Sequence, residues 1–178
     1  VGDATLGEGS LAGRAASADH AVSWRLTFAD GDAPLLLLPE SMYAGGFPKA
    51  KALVACPNAV FSGTLTVDGR EIAIDGWRGS QNHNWGSRHT DRYVWGQVAG
   101  FDNAPEAFLE CATAQVRIGP FWSPRLTLLV LRDGDEEIAL NGLLQAARAQ
   151  GDYDFFRWTI DSRSPRARNW CASCHRRS

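Results

Sequence analysis

The sequence runs to 178 residues with a net charge of −2 and four cysteines. That length suits one domain with a sizeable core, and with both charge signs spread along the chain nothing points to a nucleic-acid face. Arginine is dense only at the end, in Arg163, Arg166, Arg168, Arg176 and Arg177, which reads as solvated surface. The cysteines are too few for a disulfide scaffold, and no apolar run approaches the roughly 20 residues of a membrane span.

Period-two alternation dominates the chain and helical periodicity is nearly missing. His20 to Phe28 alternates, with Val22, Trp24, Leu26 and Phe28 on one face. Val60 to Val67 and Arg70 to Ile74 flank Asp68-Gly69, a two-residue hairpin signal. Arg92 to Phe101 and Ala107 to Ile118 read as a longer pair joined by an Asn103–Glu106 loop. Phe121 to Arg132 and Glu137 to Leu140 flank Asp133-Gly134-Asp135, a further hairpin. Leu143 to Gln150 is the one helical stretch, and Tyr153 to Ile160 closes the series as a strand.

Short strands joined by tight turns predict an all-β fold, an antiparallel barrel in preference to a sandwich. A closed sheet of about eight strands leaves room for one small ligand. Cys56 and Cys111 sit in apolar contexts and read as small buried thiols. No signal peptide is visible, although the chain begins at Val1 and a processed or clipped start is expected. A reducing compartment is the default; cytoplasm and periplasm both stay open.

Asp75 to Asp102 is the most concentrated stretch. It holds three of the seven tryptophans (Trp77, Trp85, Trp95) and two of the four histidines (His83, His89) among Gly, Gln and Asn. Flat aromatic walls with a few directed polar groups are what an apolar ligand pocket needs. Tyr93, Trp95 and Gln97 share one strand face, opposite Val94 and Val98, and mix aromatic with polar groups as a ligand-facing wall would. His83 and His89 fit no standard zinc spacing, and no metal is expected there.

Several motifs of this stretch belong together: Asp75-Gly76-Trp77, Gly79, His83-Asn84-Trp85-Gly86, Trp95-Gly96 and Gly100-Phe101. With Leu38-Pro39, Pro48-Lys49-Ala50-Lys51, Phe61 to Leu65, Gly119-Pro120 and Asn141, they resemble the lipocalin-like (calycin) proteins grouped with carotenoid 1,2-hydratase, also called hydroxyneurosporene synthase, and with the AttH-like proteins. The resemblance runs from about Leu6 to Pro165. It implies a lipocalin-like barrel over residues 1–168, closed or incomplete, the first of a tandem pair. A second barrel is the expected partner and is missing from this sequence. Residues 169–178 depart from the family and read as an aberrant or disordered tail from a truncated or frame-shifted end.

The resemblance further implies a hydratase or cyclase that needs no cofactor and acts on an apolar isoprenoid or polyketide alkene. The acid must be a neutral carboxyl or an imidazolium. Asp102 and Glu110, each at an apolar strand edge where burial would raise a carboxyl pKa, are the carboxyl candidates. In the scheme His83 would be the acid or its orienting partner, with Asp102 the alternative acid. Trp77, Trp85, Tyr93, Trp95, Gln97 and Glu110 would line the ligand. Each has a plainer alternative: His83 as a histidine satisfied at a strand end, the tryptophans as core, Asp102 and Glu110 as turn or surface carboxylates. A non-catalytic barrel binding a lipophilic ligand fits the same residues, as does a structural barrel packing its Trp strip on the second domain. Any membrane association is expected to be peripheral. Cys171-Ala-Ser-Cys174-His175 matches the c-type haem attachment pattern but is read as a coincidence, since no surrounding helix is expected.

Overall fold

The computed structural model describes residues 3–29, 31–155, 157–162 and 170–175. It begins with β1 (Thr5–Gly7), β2 (Ser10–Ala16) and β3 (Ala21–Ala29), followed by the short α1 (Ser41–Ala44). Two long strands, β4 (Ala50–Val67) and β5 (Arg70–Gly86), complete an antiparallel sheet in the order β1-β2-β3-β4-β5. The Asp68-Gly69 turn joins β4 to β5 with φ of 49° and 79°, the paired positive angles of a hairpin turn matched to strand twist. Asp68 also locks this corner, accepting from the Ala21 amide at 2.7 Å and meeting His20 Nδ1 at 2.9 Å.

A second sheet follows. It uses β6 (Arg92–Phe101) and β7 (Ala104–Gln115); next come the small β8 (Arg117–Ile118) and β9 (Phe121–Trp122), a hairpin of their own. Beyond them, β10 (Leu126–Asp133) and β11 (Glu136–Leu140) return to the sheet, whose order is β11-β10-β7-β6. The helix α2 (Leu143–Arg148) leads into β12 (Gln150–Asp154), β13 (Arg157–Ser162) and β14 (Trp170–His175), a third sheet. The fold is therefore all-β and antiparallel. The pairing leaves four separate sheets, and no closed ring of hydrogen-bonded strands runs through the described residues.

Several expected boundaries change, each for a local reason. The strand expected over Tyr153 to Ile160 is a hairpin, with Tyr153 opposite Trp158 across β12 and β13. Asp154 Oδ1 accepts the Phe155 amide at 2.7 Å and starts that turn. The strand expected to reach Ile118 stops at Gln115, because side chains take over its backbone donors. Ser123 Oγ accepts from the Val116 amide at 3.0 Å and Asp91 from the Arg117 amide at 3.2 Å. Pro124, lacking an N–H, separates β9 from β10. The expected Asn103–Glu106 loop shrinks to a turn at Asp102-Asn103, as a bulge at Gly100 (φ 80°) tightens the β6–β7 corner. The helix expected to Gln150 ends at Arg148, and Gln150 pairs with Asp161.

β1 and β2 have no counterpart among the expected strands, since their Gly, Ala and Ser carry little strand preference. The stretch read as an aberrant tail contains β14, whose backbone pairs with β13 from Arg157↔His175 to Ser162↔Trp170. Residues 163–169 and 176–178, which hold the dense arginines, and the side chains of the haem-like motif, lie outside the described residues.

The core has two parts, one on each face of the second sheet. Leu35, Leu37, Val54, Phe108 and Val130 join the first sheet to it, with Ala99, Ala112 and Leu128 against them. On the other face, Cys111, Leu129, Leu140 and Ile160 pack with Leu109, Leu131, Ile138 and Trp158. β7 and β10 are therefore covered on both sides, which explains why their runs are nearly continuous in apolar residues. A polar side chain in the middle of β7 that points at the first sheet lands in this interior.

Candidate functional site

Glu110 does so, whereas Glu106, on the same face near the turn, reaches Arg78 of β5 and stays exposed. Glu110 lies in the middle of β7 with 2 % of its surface exposed, on the same strand face as Phe108 and Ala112. It is directly opposite Gln97 on β6, and Trp95 is opposite Ala112. The small alanine leaves the indole room to lean along the sheet toward the carboxylate. Trp95 Nε1 donates to Glu110 Oε1 at 2.7 Å and Gln97 Nε2 donates to Oε2 at 2.7 Å. Burial pushes the Glu110 carboxyl above the usual glutamate range, and the two donors oppose that without cancelling it.

The network continues across the seam between β6 and β5, strands that share no ladder. Gln97 Nε2 also donates to Asn82 Oδ1 at 3.0 Å, while Gln97 Oε1 accepts from Ser80 Oγ at 2.5 Å. Asn82 Nδ2 donates to the same Ser80 oxygen at 3.1 Å, so three side chains close a ring. Asn82 pairs with Val54 on β4, which fixes it to the core-facing side of β5. The result is a chain of side chains from solvent at Asn82 to the buried carboxyl.

Strand parity separates this network from the histidine. His83 is opposite Leu53 and Trp85 opposite Lys51, one residue out of phase with Asn82, so both project from the other face of β5. There the His83 and Trp85 rings stack at 5.2 Å, and Tyr43 of α1 tilts against Trp85 at 5.9 Å. The Tyr43 hydroxyl donates to the Ala52 carbonyl at 2.6 Å and accepts from the Leu38 amide at 3.3 Å. Burial raises its pKa, and the nearby charge of Glu110 adds to the rise. Gly86 ends this strand at φ 146°, where a Cβ would strike the Lys49 carbonyl.

The candidate residues thus fall into four places. Trp95, Gln97 and Glu110 meet in one network, and Tyr93 (57 % exposed) continues their face toward the end of the sheet. His83 and Trp85 form the outer stack. Trp77 faces Phe61 on the far half of β5, about 17 Å along the strand from Asn82. Asp102 is exposed in the β6–β7 turn, about 17 Å along β6 from Gln97. Among the described residues no three His, Cys, Asp or Glu side chains are grouped to hold a metal ion.

Ser80 and Tyr43 did not emerge from sequence as site residues, and Asn82 was read only as part of a polar frame around His83 and Trp85, from which strand parity separates it. Asn82 and Ser80 share parity with each other and not with His83, a signal that needed the extent of β5 to be read. A groove of about 520 Å³ lies elsewhere, on β2 to β5, lined by Arg14, Ser23, Arg25, Thr64 and Glu71 among others. None of the candidate residues lines it.

No family model and no solved structure matches the chain. Two uncharacterized proteins of Mycobacterium tuberculosis, one from strain CDC 1551 / Oshkosh and one from strain H37Rv, are similar to part of it. Each is 32 % identical over 76 residues, which is 43 % of this chain and 23 % of the relative. The match therefore spans less than a quarter of those proteins' length.

Proposed function

We propose that this chain supplies a wall of a lipocalin-like ligand barrel and that Glu110, rather than His83 or Asp102, is the acid of a cofactor-free hydratase- or cyclase-like site for an apolar alkene. The observation that carries this reading is the buried carboxyl with two donors aimed at it. A carboxyl raised by burial holds its proton to higher pH than an exposed glutamate does. Once that proton leaves, Trp95 Nε1 and Gln97 Nε2 are already placed to hold the resulting anion, with no reorganisation during the step.

For hydration, the Glu110 proton adds to the alkene carbon and leaves a carbocation beside the Tyr93 and Trp95 rings, whose π faces favour it. Water attacks the cation, and its surplus proton returns to Glu110. Ser80 and Asn82 are the polar groups best placed to hold that water, since both stand beside Gln97. Cyclisation uses the same proton, with a second alkene of the substrate in place of water. The outer His83–Trp85 stack takes no step in this scheme.

Incubation with an acyclic terminal-alkene isoprenoid in ¹⁸O-labelled water tests it. Wild-type protein yields an alcohol carrying the label, or a cyclised isomer, and Glu110→Gln lowers the rate by about 10²–10⁴-fold. Unchanged alkene from wild-type protein that still quenches its tryptophan fluorescence with the same compound would replace catalysis by ligand binding alone.

A further inference from the structure

The end of the molecule beyond Tyr93 gathers apolar side chains and cations from three separate segments. Hydrogen bonds tie them together: the Ser87 amide donates to the Lys49 carbonyl at 3.0 Å, and Arg88 pairs with Asp91 at 2.7 Å. Asp91 in turn accepts from the Arg117 amide at 3.2 Å, while Gln115 Nε2 donates to the Ser123 carbonyl at 3.1 Å. On this rim the β8–β9 hairpin turns at Gly119-Pro120. Its cross-strand pair Ile118↔Phe121 is 62 % and 74 % exposed. Trp122 and Phe47 are exposed nearby, and the Arg92 guanidinium lies 4.3 Å over the Trp122 ring.

The charges on the rim are one-sided. Segments 45–51, 86–93 and 115–123 carry Lys49, Lys51, Arg88, Arg92 and Arg117 against the single carboxylate Asp91, in a chain whose net charge is −2. The rim therefore carries a surplus of positive charge beside a group of exposed bulky apolar side chains, in a chain that is acidic on balance.

We infer that this rim docks on a bilayer surface bearing anionic headgroups, with Ile118 and Phe121 entering the headgroup–acyl boundary and the cations meeting phosphate. Exposed bulky apolar groups ringed by Lys and Arg are the composition that holds a peripheral protein at such an interface. A protein partner would need a surface shaped to a two-residue-wide hairpin tip; a fluid acyl boundary accepts it without shape. Arg92 and Tyr93 begin β6, so on the proposed function a docked molecule would hold the Tyr93/Trp95 face near a membrane-dissolved alkene. The docking itself does not depend on Glu110 or on turnover.

Co-sedimentation of the full chain with vesicles of phosphatidylcholine alone, or with about one third phosphatidylglycerol, decides the matter. Binding is expected to the mixed vesicles, with little to neutral ones, and to fall as salt rises from about 0.05 to 0.5 M because the cations are screened. Arg117→Gln should weaken binding by about fivefold, and the Ile118→Ser/Phe121→Ser double variant by about tenfold or more. Leu144→Ser, a change at an equally exposed leucine on α2, should bind as wild type does. Matching melting temperatures confirm that the variants fold. Absence of wild-type protein from the anionic vesicle pellet would overturn the inference, as would equal binding by the double variant. Binding insensitive to both salt and lipid charge would also overturn it.

Discussion

Gln97 and Glu110 face one another across the β6–β7 ladder, and the Gln97 amide donates to the buried carboxylate at 2.7 Å while also holding Asn82 of β5 at 3.0 Å. One side chain therefore links a carboxyl inside the second sheet to the solvent edge of the first. The two sheets have no ladder at that seam, so side chains carry the connection there.

Breaking the network should cost stability according to how many donors are left unmatched. Glu110→Leu leaves Trp95 Nε1 and one N–H of Gln97 Nε2 unmatched, Asn82 keeping the other, and is expected to lower unfolding free energy by about 1–3 kcal/mol. Glu110→Gln keeps one acceptor and should cost less, about 1 kcal/mol. Urea unfolding at pH 7 measures both; a Leu variant as stable as the Gln variant would show that the donors find water instead.

A carboxyl whose folded pKa is raised binds more protons folded than unfolded. Its contribution is fully present below the ordinary glutamate range and is lost as pH rises from there through the folded value. Wild type minus Glu110→Gln should therefore decline in stability over that window and level off above it. Urea midpoints measured at half-unit pH intervals on both proteins check the sign, and a difference that grows with pH would contradict it.

Gly86 and Gly46 make a paired test of the β5 terminus. At Gly86 both φ (146°) and the Lys49 carbonyl oppose a side chain, and Gly86→Ala should cost at least about 2 kcal/mol. Nothing lies within 4 Å of a Cβ at Gly46, so Gly46→Ala should stay within about 0.5 kcal/mol of wild type. Thermal melts of both variants decide it.

The Tyr93/Trp95/Gln97 face was legible because period-two parity within one strand needs no partner, and the strand itself was plain in sequence. The split between Asn82 and His83 was not. It depends on β5 running unbroken to Gly86, through Gly79, Gln81, Asn82 and Asn84, residues with little strand preference that long pairing with β4 holds extended. The apolar Phe-Leu-Glu-Cys context made Glu110 a candidate buried acid, but its pairing with Trp95 and Gln97 was not legible, because those partners sit on another strand. The rim cations escaped notice because Lys49, Arg88 and Arg117 come from distant segments, and only the fold brings them together. Barrel closure was an expectation from strand count, whereas ladder pairing stops at β5 and at β6.

The account stands on the protonation state of one carboxyl. Titration of ¹³C-labelled glutamate side chains by NMR, with Glu110→Gln used to assign the resonance, reads it directly. A Glu110 midpoint above that of the exposed glutamates is the predicted result. A midpoint at or below theirs would mean that Trp95 and Gln97 outweigh burial, and Glu110 would then be a carboxylate with no proton to give.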